Sequence, residues 1–543
     1  MKISKILLPV ALSAIGIATL TGCKVGVSAG GEATIQIRAY KGGYGLDWLH
    51  EAAKEFQKAH SDIKFEFVEE SSMVTGEVAQ QEIVLPKKNQ IDLYFITGID
   101  VDILLQKSYS VLRTRSEVLL EPLNDIYESK AIDVNGNEES ETIASRMAIG
   151  YKEASEYDGA YTQWQGKMFT LPWANGMTGL FVNPTVLEKY DIKMPLTSNE
   201  FTAAVQTIYE KGKADGIYPF SWAGNNAAGY WNYLYETWFA QYSTQQGFLN
   251  FIKCDPGDGD IKNNGYKVYE DQGILKGLEA MFDILDLRYS PNGSASKHHM
   301  EAQTEFVTGK TAFMMDGDWV VNEMKNDYFQ YGQNIKMLGA PILSSIGEEI
   351  GITDAQLHDL VQMIDEHKSN EEIKAAISSL DDDKISRVYN ARCVYDSIGA
   401  AHTIVIPSYA DAKAAAKLFV RYLYSNDGCR VFRNQTYSSL PLKYTKQEGD
   451  TNTPYQQSLD QIQSYGDPQM ISSASLYNNV RSVAQLYNFN YSAWVHPTTF
   501  YAVMANKANS SATIKFTPEF IFESEQAYVK NNWSKYMSFV TWL

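Results

Sequence analysis

The chain has 543 residues, of which 47 are lysine or arginine and 65 are aspartate or glutamate, so its net charge is −18. A surface of this sign repels nucleic acid and anionic lipid headgroups, which excludes both as ligands of the main body. The length exceeds what one hydrophobic core usually serves, and we therefore expect two domains or lobes.

The N-terminus has the layout of a secretory signal. Lys2 and Lys5 precede an uncharged apolar run over 6–20, which is too short to span a bilayer comfortably. The run ends at Thr21-Gly22-Cys23, which resembles the lipobox of bacterial lipoproteins. That resemblance implies cleavage after residue 22, lipidation of Cys23, and a protein held on the extracellular face of the membrane (facing the periplasm in a Gram-negative cell). The alternative is an ordinary signal peptide with a cysteine there by chance.

The next segments predict an α/β lobe. Residues 23–33 are small and polar, as in a flexible tether. Apolar residues alternate over 35–39 and again over 63–67, which predicts strands, and helical spacing over 49–56 predicts a helix between them. The apolar run 91–96 is typical of a strand buried on both faces. This order predicts a doubly wound sheet that binds ligands at the carboxyl ends of its strands.

A second α/β unit begins near Leu171. Residues 180–182 are predicted to form a strand, and Thr197 with Glu200 forms a capping box at the start of a helix. A further helix is predicted over 412–424. The acidic, helical stretch 350–389 has the character of an insertion. No later apolar stretch reaches the length of a membrane-spanning helix, so we expect a soluble body.

Neither a metal site nor a cofactor site is indicated. Cys254, Cys393 and Cys429 are odd in number and lack zinc-site spacing; one pair could form a disulfide, but buried free thiols are favoured. The loop from Asp133 begins like a calcium loop but has Glu138 where the turn needs glycine. We expect no cofactor and no metal.

Four motifs in order make the chain similar to a known family. The stretch 305–319 reads EFVTGKTAFMMDGDW, and 165–184 contains Gln-Gly-Lys, Leu-Pro-Trp and Leu-Phe-Val-Asn-Pro. A helix ending at 423–428 leads to Ser-Leu-Pro-Leu at 439–442. Together they resemble the family 1 extracellular solute-binding proteins, the maltose-binding type of ABC importer component.

The resemblance implies two α/β lobes joined by a hinge of several segments. The first lobe is expected to comprise 34–171 and 336–410, with 350–389 inserted in it, and the second 172–335 and 411–543. The resemblance also implies a monomer without catalytic residues. Such a protein captures a solute between its lobes and passes it to ABC transporter permease subunits.

Sugar binding needs flat aromatic faces against ring C–H groups and planar polar groups against hydroxyls. The resemblance places Trp319, directly after Asp318, where relatives have a stacking aromatic; the alternative is a core tryptophan. Tyr44 and Asp100 follow predicted strands at their carboxyl ends, and Trp173 follows the crossing between lobes. The predicted ligand site comprises Trp319, Trp173, Tyr44, Asp100, Trp222, Trp494 and Asp318.

The expected function is therefore capture and delivery of a carbohydrate, in particular an oligosaccharide, by a membrane-anchored protein that is not an enzyme. Two alternatives stay open. One is an extracellular carbohydrate-active hydrolase with a lipid anchor. The other is the same binding protein with a peptide, a polyamine or another solute as its cargo.

Overall fold

The computed structural model describes residues 32–72, 75–114, 116–159, 161–472, 500–538 and 540. The predictions for Cys23 and Trp494 lie outside the described residues. Within those ranges, no helix has the length and apolar character needed to cross a membrane. Among the described residues, the cysteines at 254, 393 and 429 are buried and form no disulfide with one another.

Two mixed sheets form the framework, in agreement with the predicted two-lobed α/β fold. The first has the strand order β2-β1-β3-β12-β6 and the second β13-β11-β7-β9-β8, with β10 also paired to β7 and a separate β4-β5 pair. In chain order the strands are β1 Ala33–Tyr40, β2 Ile63–Glu70, β3 Leu93–Thr97, β4 Lys130–Ile132, β5 Glu138–Thr142, β6 Leu171–Pro172, β7 Met177–Val182, β8 Tyr218–Ser221, β9 Thr311–Gly317, β10 Lys336–Leu338, β11 Val394–Ser397, β12 His402–Val405 and β13 Gln469–Ile471.

Helices cover both sheets. Several begin at side-chain caps, and the predicted capping box is confirmed, since Thr197 Oγ1 accepts from Glu200 N at 3.3 Å and Glu200 Oε2 accepts from Thr197 N at 3.4 Å. The α-helices are α1 Asp47–Gln57, α2 Thr75–Ile83, α3 Val101–Leu112, α4 Asn124–Glu128, α5 Ile143–Arg146, α6 Tyr151–Ser155, α7 Pro184–Lys189, α8 Ser198–Gly212, α9 Trp231–Lys253, α10 Ile261–Asn264, α11 Gln272–Ile284, α12 His299–Val307, α13 Val320–Glu323, α14 Lys325–Asp327, α15 Ser344–Glu349, α16 Asp354–Asp365, α17 Asn370–Ala376, α18 Asp382–Cys393, α19 Lys413–Leu423, α20 Asn426–Thr436, α21 Pro454–Ile462, α22 Phe500–Ala508 and α23 Pro518–Met537.

The first sheet begins as a parallel doubly wound sheet. Strand β1 pairs in parallel with β2 from Ala33 opposite Ile63 onward, and with β3 at Ile37 opposite Leu93. Its alternating residues 35, 37 and 39 are buried, which explains the period-two pattern in the sequence. Strand β12 pairs antiparallel with β3, and β6 pairs antiparallel with β12 at the edge of the sheet.

The second sheet is centred on β7, every residue of which is buried. Strand β9 pairs antiparallel with β7, with Thr178 opposite Gly317, and β8 runs parallel to β9 on the far side. In this register the end of β9 lies beside the start of β7, and β7 directly follows β6 of the first sheet along the chain. The residues after β9 therefore lie close to the first sheet.

The chain is divided between the two sheets differently from our expectation. We expected 336–410 in the first lobe, but β10 pairs with β7, and β11 also lies in the second sheet. The inserted helices α16 to α18 pack in the hydrophobic core of the second sheet. Conversely, Phe419 of α19 and Phe432 of α20 contact α1 beside the first sheet, although 411–543 was assigned to the second lobe. Strand β12, in the same range 336–410, does lie in the first sheet. The sequence could not divide the range in this way because periodicity identifies a strand without identifying its partner.

A buried arginine attaches the insertion to the second sheet. Arg392, in α18, donates through Nε and Nη2 to Asp365 of α16 at 2.9 and 2.7 Å. Its Nη1 donates to the carbonyl oxygens of Gly339 and Ala340, both at 3.1 Å, next to β10. The guanidinium lies 4.2 Å from the ring centre of Tyr465. One side chain therefore connects two insertion helices to the sheet edge.

Arg392→Leu should lower the free energy of unfolding by about 3–5 kcal/mol, because it leaves the Asp365 carboxylate, only 12% exposed, without its partner. Urea denaturation followed by circular dichroism measures this change. The control is Lys368→Ala, which removes an exposed pair with Glu366 at 3.9 Å and should cost less than about 1 kcal/mol. Equal losses in the two variants would contradict the anchoring role.

Candidate ligand-binding site

The glycine turn after β1 carries Tyr44 to the second sheet. Gly42 and Gly45 have φ values of 45° and 65°, which glycine adopts without steric cost. Between them, the Tyr44 hydroxyl donates to Asp318 Oδ1 at 2.5 Å. Asn322 Nδ2 donates to the Gly43 carbonyl at 2.6 Å. The loop at the carboxyl end of one sheet therefore contacts the segment that follows β9 in the other.

Asp318 is fully buried and joins three segments. Besides Tyr44, its carboxylate accepts from the backbone N of Ser439 at 3.0 Å and, through a short contact, from the Ser439 hydroxyl. Burial raises the pKa of Asp318 to about 6, while the hydrogen bonds from Ser439 and Tyr44 act in the opposite direction. Ser439 belongs to the Ser-Leu-Pro-Leu motif, which explains the position of that motif in the fold.

Aromatic rings surround this contact. The Tyr44 ring lies 5.4 Å from Trp173, 6.1 Å from Trp319 and 5.5 Å from His402, each in an edge-to-face arrangement. The Trp319 ring packs against glycine, since a Cβ atom placed at Gly317 would lie 2.1 Å from Trp319 Cη2. Trp319 is 6% exposed, so the ring face predicted to stack on a ligand is covered in this conformation.

The structure brings four predicted site residues together and separates others. Tyr44, Trp173, Asp318 and Trp319 form the cluster described above, which we call the inter-sheet cluster. Asp100 is not part of it: its side chain is exposed and accepts from Ile103 N at 2.9 Å as the N-cap of α3. Asp100 does follow strand β3, as predicted, but its carboxylate caps the helix that comes next.

Trp222 lines a pocket beside the inter-sheet cluster. Tyr230 joins the two, because its ring lines this pocket and lies 6.3 Å from Trp319. The pocket has a volume of about 10 Å³, room for about one water, so a sugar would enter only if the pocket widened. Its lining residues are Trp222, Ala223, Ala227, Tyr230, Trp231, His299, Ala302, Met314, Met315 and Asp316.

Two neighbouring carboxylates were not predicted: Asp316, which is buried and lines this pocket, and the half-buried Glu323. Burial raises the pKa of Asp316 to about 8, helped by the charge of Glu323, and burial raises that of Glu323 to about 7. Gln303 Nε2 donates to Asp316 Oδ2 at 3.1 Å and to Glu323 Oε2 at 2.6 Å. The sequence held one signal: Asp316 is the charged residue near the end of a strand that is otherwise apolar and buried.

The comparisons with known proteins agree on the fold. Residues 42–428 match the family model described as bacterial extracellular solute-binding protein. No curated protein sequence matched the chain. A chitin oligosaccharide binding protein is 16% identical with a TM-score of 0.55, covering 93% of this chain and 100% of its own. RafE in complex with raffinose is 13% identical with a TM-score of 0.52, covering 92% and 100%. Maltose-bound MalE3 of T. maritima is 14% identical with a TM-score of 0.50, covering 92% and 99%.

The buried carboxylates predict how the stability of the ligand-free protein depends on pH. A carboxyl whose pKa is raised on folding binds more protons when folded, so its stabilising contribution is lost as pH rises through the folded pKa. With folded values of about 8, 7 and 6 for Asp316, Glu323 and Asp318, the free energy of unfolding should fall between about pH 4 and pH 8.

The double variant Asp316→Asn/Glu323→Gln should flatten the upper part of this fall, because amides do not titrate. Urea denaturation across that pH range measures the slope. The control is Glu77→Gln/Glu371→Gln, which removes the same charge at two exposed positions. An unchanged slope in the first variant would show that these carboxylates do not titrate as described.

Proposed function

The chain belongs to the bacterial extracellular solute-binding protein family, and on this basis we propose that it captures a carbohydrate between its two sheets and delivers it to an ABC importer. One observation carries the choice of cargo. The pocket between the tryptophans 222 and 231, beside Tyr230 and Trp319, combines aromatic faces with the Asp316 carboxylate. Sugars need both kinds of group.

The relatives support this choice. By their descriptions, one of the three structural relatives is a chitin oligosaccharide binding protein, one is in complex with raffinose and one is maltose-bound. We extend that ligand class to this chain. The proposed anchor is the lipidated Cys23, which would hold the protein near the permease subunits on the outer face of the membrane.

Capture requires movement of the two sheets relative to each other. The Tyr44–Asp318 hydrogen bond and the Asn322–Gly43 hydrogen bond join them in the described conformation. In an open conformation these contacts separate, and the faces of Trp319 and Trp222 become accessible to a sugar. A ligand that contacts both sheets then shifts the population toward the closed conformation. The permease recognises the loaded protein in this closed conformation.

Trp319→Ala should weaken binding of an oligosaccharide by about 1–4 kcal/mol, the range of an aromatic anchor in a binding site. Isothermal calorimetry with a ligand selected by thermal-shift screening measures the change. Trp164→Ala is the control, because Trp164 packs beside the distant cluster that contains Tyr157 and Phe169. Unchanged affinity combined with a large loss of melting temperature would make Trp319 a purely structural residue.

The alternative function, a carbohydrate-active hydrolase, rests on the proximity of Asp316 and Glu323, since retaining glycosidases use two carboxyl groups about 5–5.5 Å apart. A binding protein should return the oligosaccharide intact after long incubation, and solution scattering should show a smaller radius of gyration with ligand than without it. Products that accumulate in proportion to the protein, and vanish in Glu323→Gln, would favour the hydrolase.

A further inference from the structure

Gln303 connects two acidic side chains through one amide nitrogen. Because that nitrogen donates to Asp316 Oδ2 at 3.1 Å and to Glu323 Oε2 at 2.6 Å, the two carboxylate oxygens can be no farther apart than those distances together. The Gln303 side chain is fully buried, and within the described ranges its Oε1 receives no hydrogen bond. The Gln303 amide therefore joins two carboxylates and has a third oxygen acceptor of its own.

The donors around these acceptors are neutral. Gly317 N donates to Asp316 Oδ1 at 2.8 Å. Among residues that the structure describes, no lysine or arginine forms an ion pair with Asp316 or Glu323. His299 Nε2 lies 3.9 Å from Glu323 Oε1, but burial and the neighbouring His298 lower its pKa. Buried carboxylates are ordinarily paired with a cation, and in the described part of the chain this partner is lacking.

Two hydrogen-bond donors belong to residues that line the same pocket as Asp316. Trp222 and Trp231 are 6% and 2% exposed, and neither indole Nε1 has a hydrogen-bond acceptor within the described residues. Both rings line the same pocket as Asp316. An indole N–H is a donor only, so hydroxyl or ring oxygens of a ligand would satisfy it. Among the described residues, Asp316 and Glu323 thus lack a cationic partner, and two indole donors at the same pocket lack acceptors.

We propose that the cargo is a saccharide that carries a protonated amino group. The ammonium group lies among Asp316, Glu323 and Gln303 Oε1, and its three N–H groups match these three acceptors. The sugar oxygens face the indoles of Trp222 and Trp231, and the Tyr230 ring offers the ammonium an aromatic face. This inference rests on the proposed function and narrows its substrate class.

Other occupants satisfy only part of the pocket. A neutral sugar supplies hydroxyl donors but no charge for the carboxylates. A polyamine supplies the charge but no acceptor for the indoles. A metal ion is not favoured either, because the described residues include no group of three or more side chains suited to ligate one. An amino sugar supplies both the cation for the carboxylates and the oxygen acceptors for the indoles.

A matched ligand series tests the proposal. Glucose, N-acetylglucosamine and glucosamine share one ring and differ only at C2, which carries hydroxyl, acetamide or ammonium, and their β-1,4-linked oligomers extend the same comparison. The galacto and manno series of monosaccharides are added, with spermidine as a non-sugar amine. Calorimetry at neutral pH should give the amino member at least about tenfold tighter binding than its two neutral partners, as charge-assisted hydrogen bonds predict.

Two double variants distinguish an effect of the pocket carboxylates on binding from an effect of the protein's net charge. Asp316→Asn/Glu323→Gln should weaken binding of the amino saccharide by about tenfold or more, and by more than it weakens binding of the neutral partner, so that the preference for the amino member disappears. Glu77→Gln/Glu371→Gln removes the same charge from exposed positions and should leave the preference intact. Melting temperatures of the ligand-free variants verify that both fold.

The outcomes distinguish this inference from the proposed function. If a neutral saccharide binds as tightly as its amino partner, the inference is overturned while carbohydrate capture stands. If spermidine binds more tightly than every saccharide, the cargo is not a sugar. If no saccharide binds at all, both proposals fail. A preference for the amino member that persists in Asp316→Asn/Glu323→Gln would place the ammonium elsewhere and also overturn the assignment.

Discussion

The arrangement of the two sheets depends on the buried carboxylate of Asp318. Its side chain accepts from Tyr44 of the first sheet's loop and from Ser439, while its backbone oxygen accepts from the hydroxyls of Ser438 and Tyr455, both at 2.9 Å. A buried carboxylate is costly unless its oxygens receive several hydrogen bonds. The requirement for these partners fixes four segments that are remote in sequence at one point between the sheets.

Two residues earlier, Asp316 is equally buried but differently supported. Asp318 receives hydroxyl and backbone donors from several segments, whereas Asp316 shares Gln303 with a second carboxylate. Burial raises the pKa of both carboxyls, and the difference appears in the size of the increase, to about 8 for Asp316 against about 6 for Asp318. Asp318, whose oxygens receive several hydrogen bonds, is suited to holding the two sheets together. Asp316, which receives fewer, is suited to binding a ligand, because its partner can come from outside the chain.

The sequence predicted elements better than their partners. Residues 35–39, the capping box at Thr197 and the helix after Ala412 were visible because each obeys a local rule of period or capping. Within the range 336–410, which we expected in the first lobe, β12 lies in the first sheet whereas β10 and β11 lie in the second, a division that the sequence does not reveal because strand pairing and the anchoring of Arg392 are long-range contacts. Trp319 and Asp318 were found through a motif, but Gln303 and Glu323 carry no local signal: a glutamine and a glutamate on helices look like surface residues until the fold buries them.

The covered state of the inter-sheet cluster constrains any binding mechanism. A tryptophan that packs on Gly317 and Tyr44 cannot also present its face to a sugar, so ligand access requires breaking the Tyr44–Asp318 hydrogen bond. A hydrogen bond to a charged group contributes about 1.5–3 kcal/mol, a cost small enough for thermal opening and large enough to favour the closed form without ligand. A ligand can shift this balance only by binding one form more strongly than the other. In the described part of the chain the Trp222 indole lacks an acceptor and the acidic pair lacks a cation, and in our proposal a bound solute provides both partners and thereby this difference in affinity.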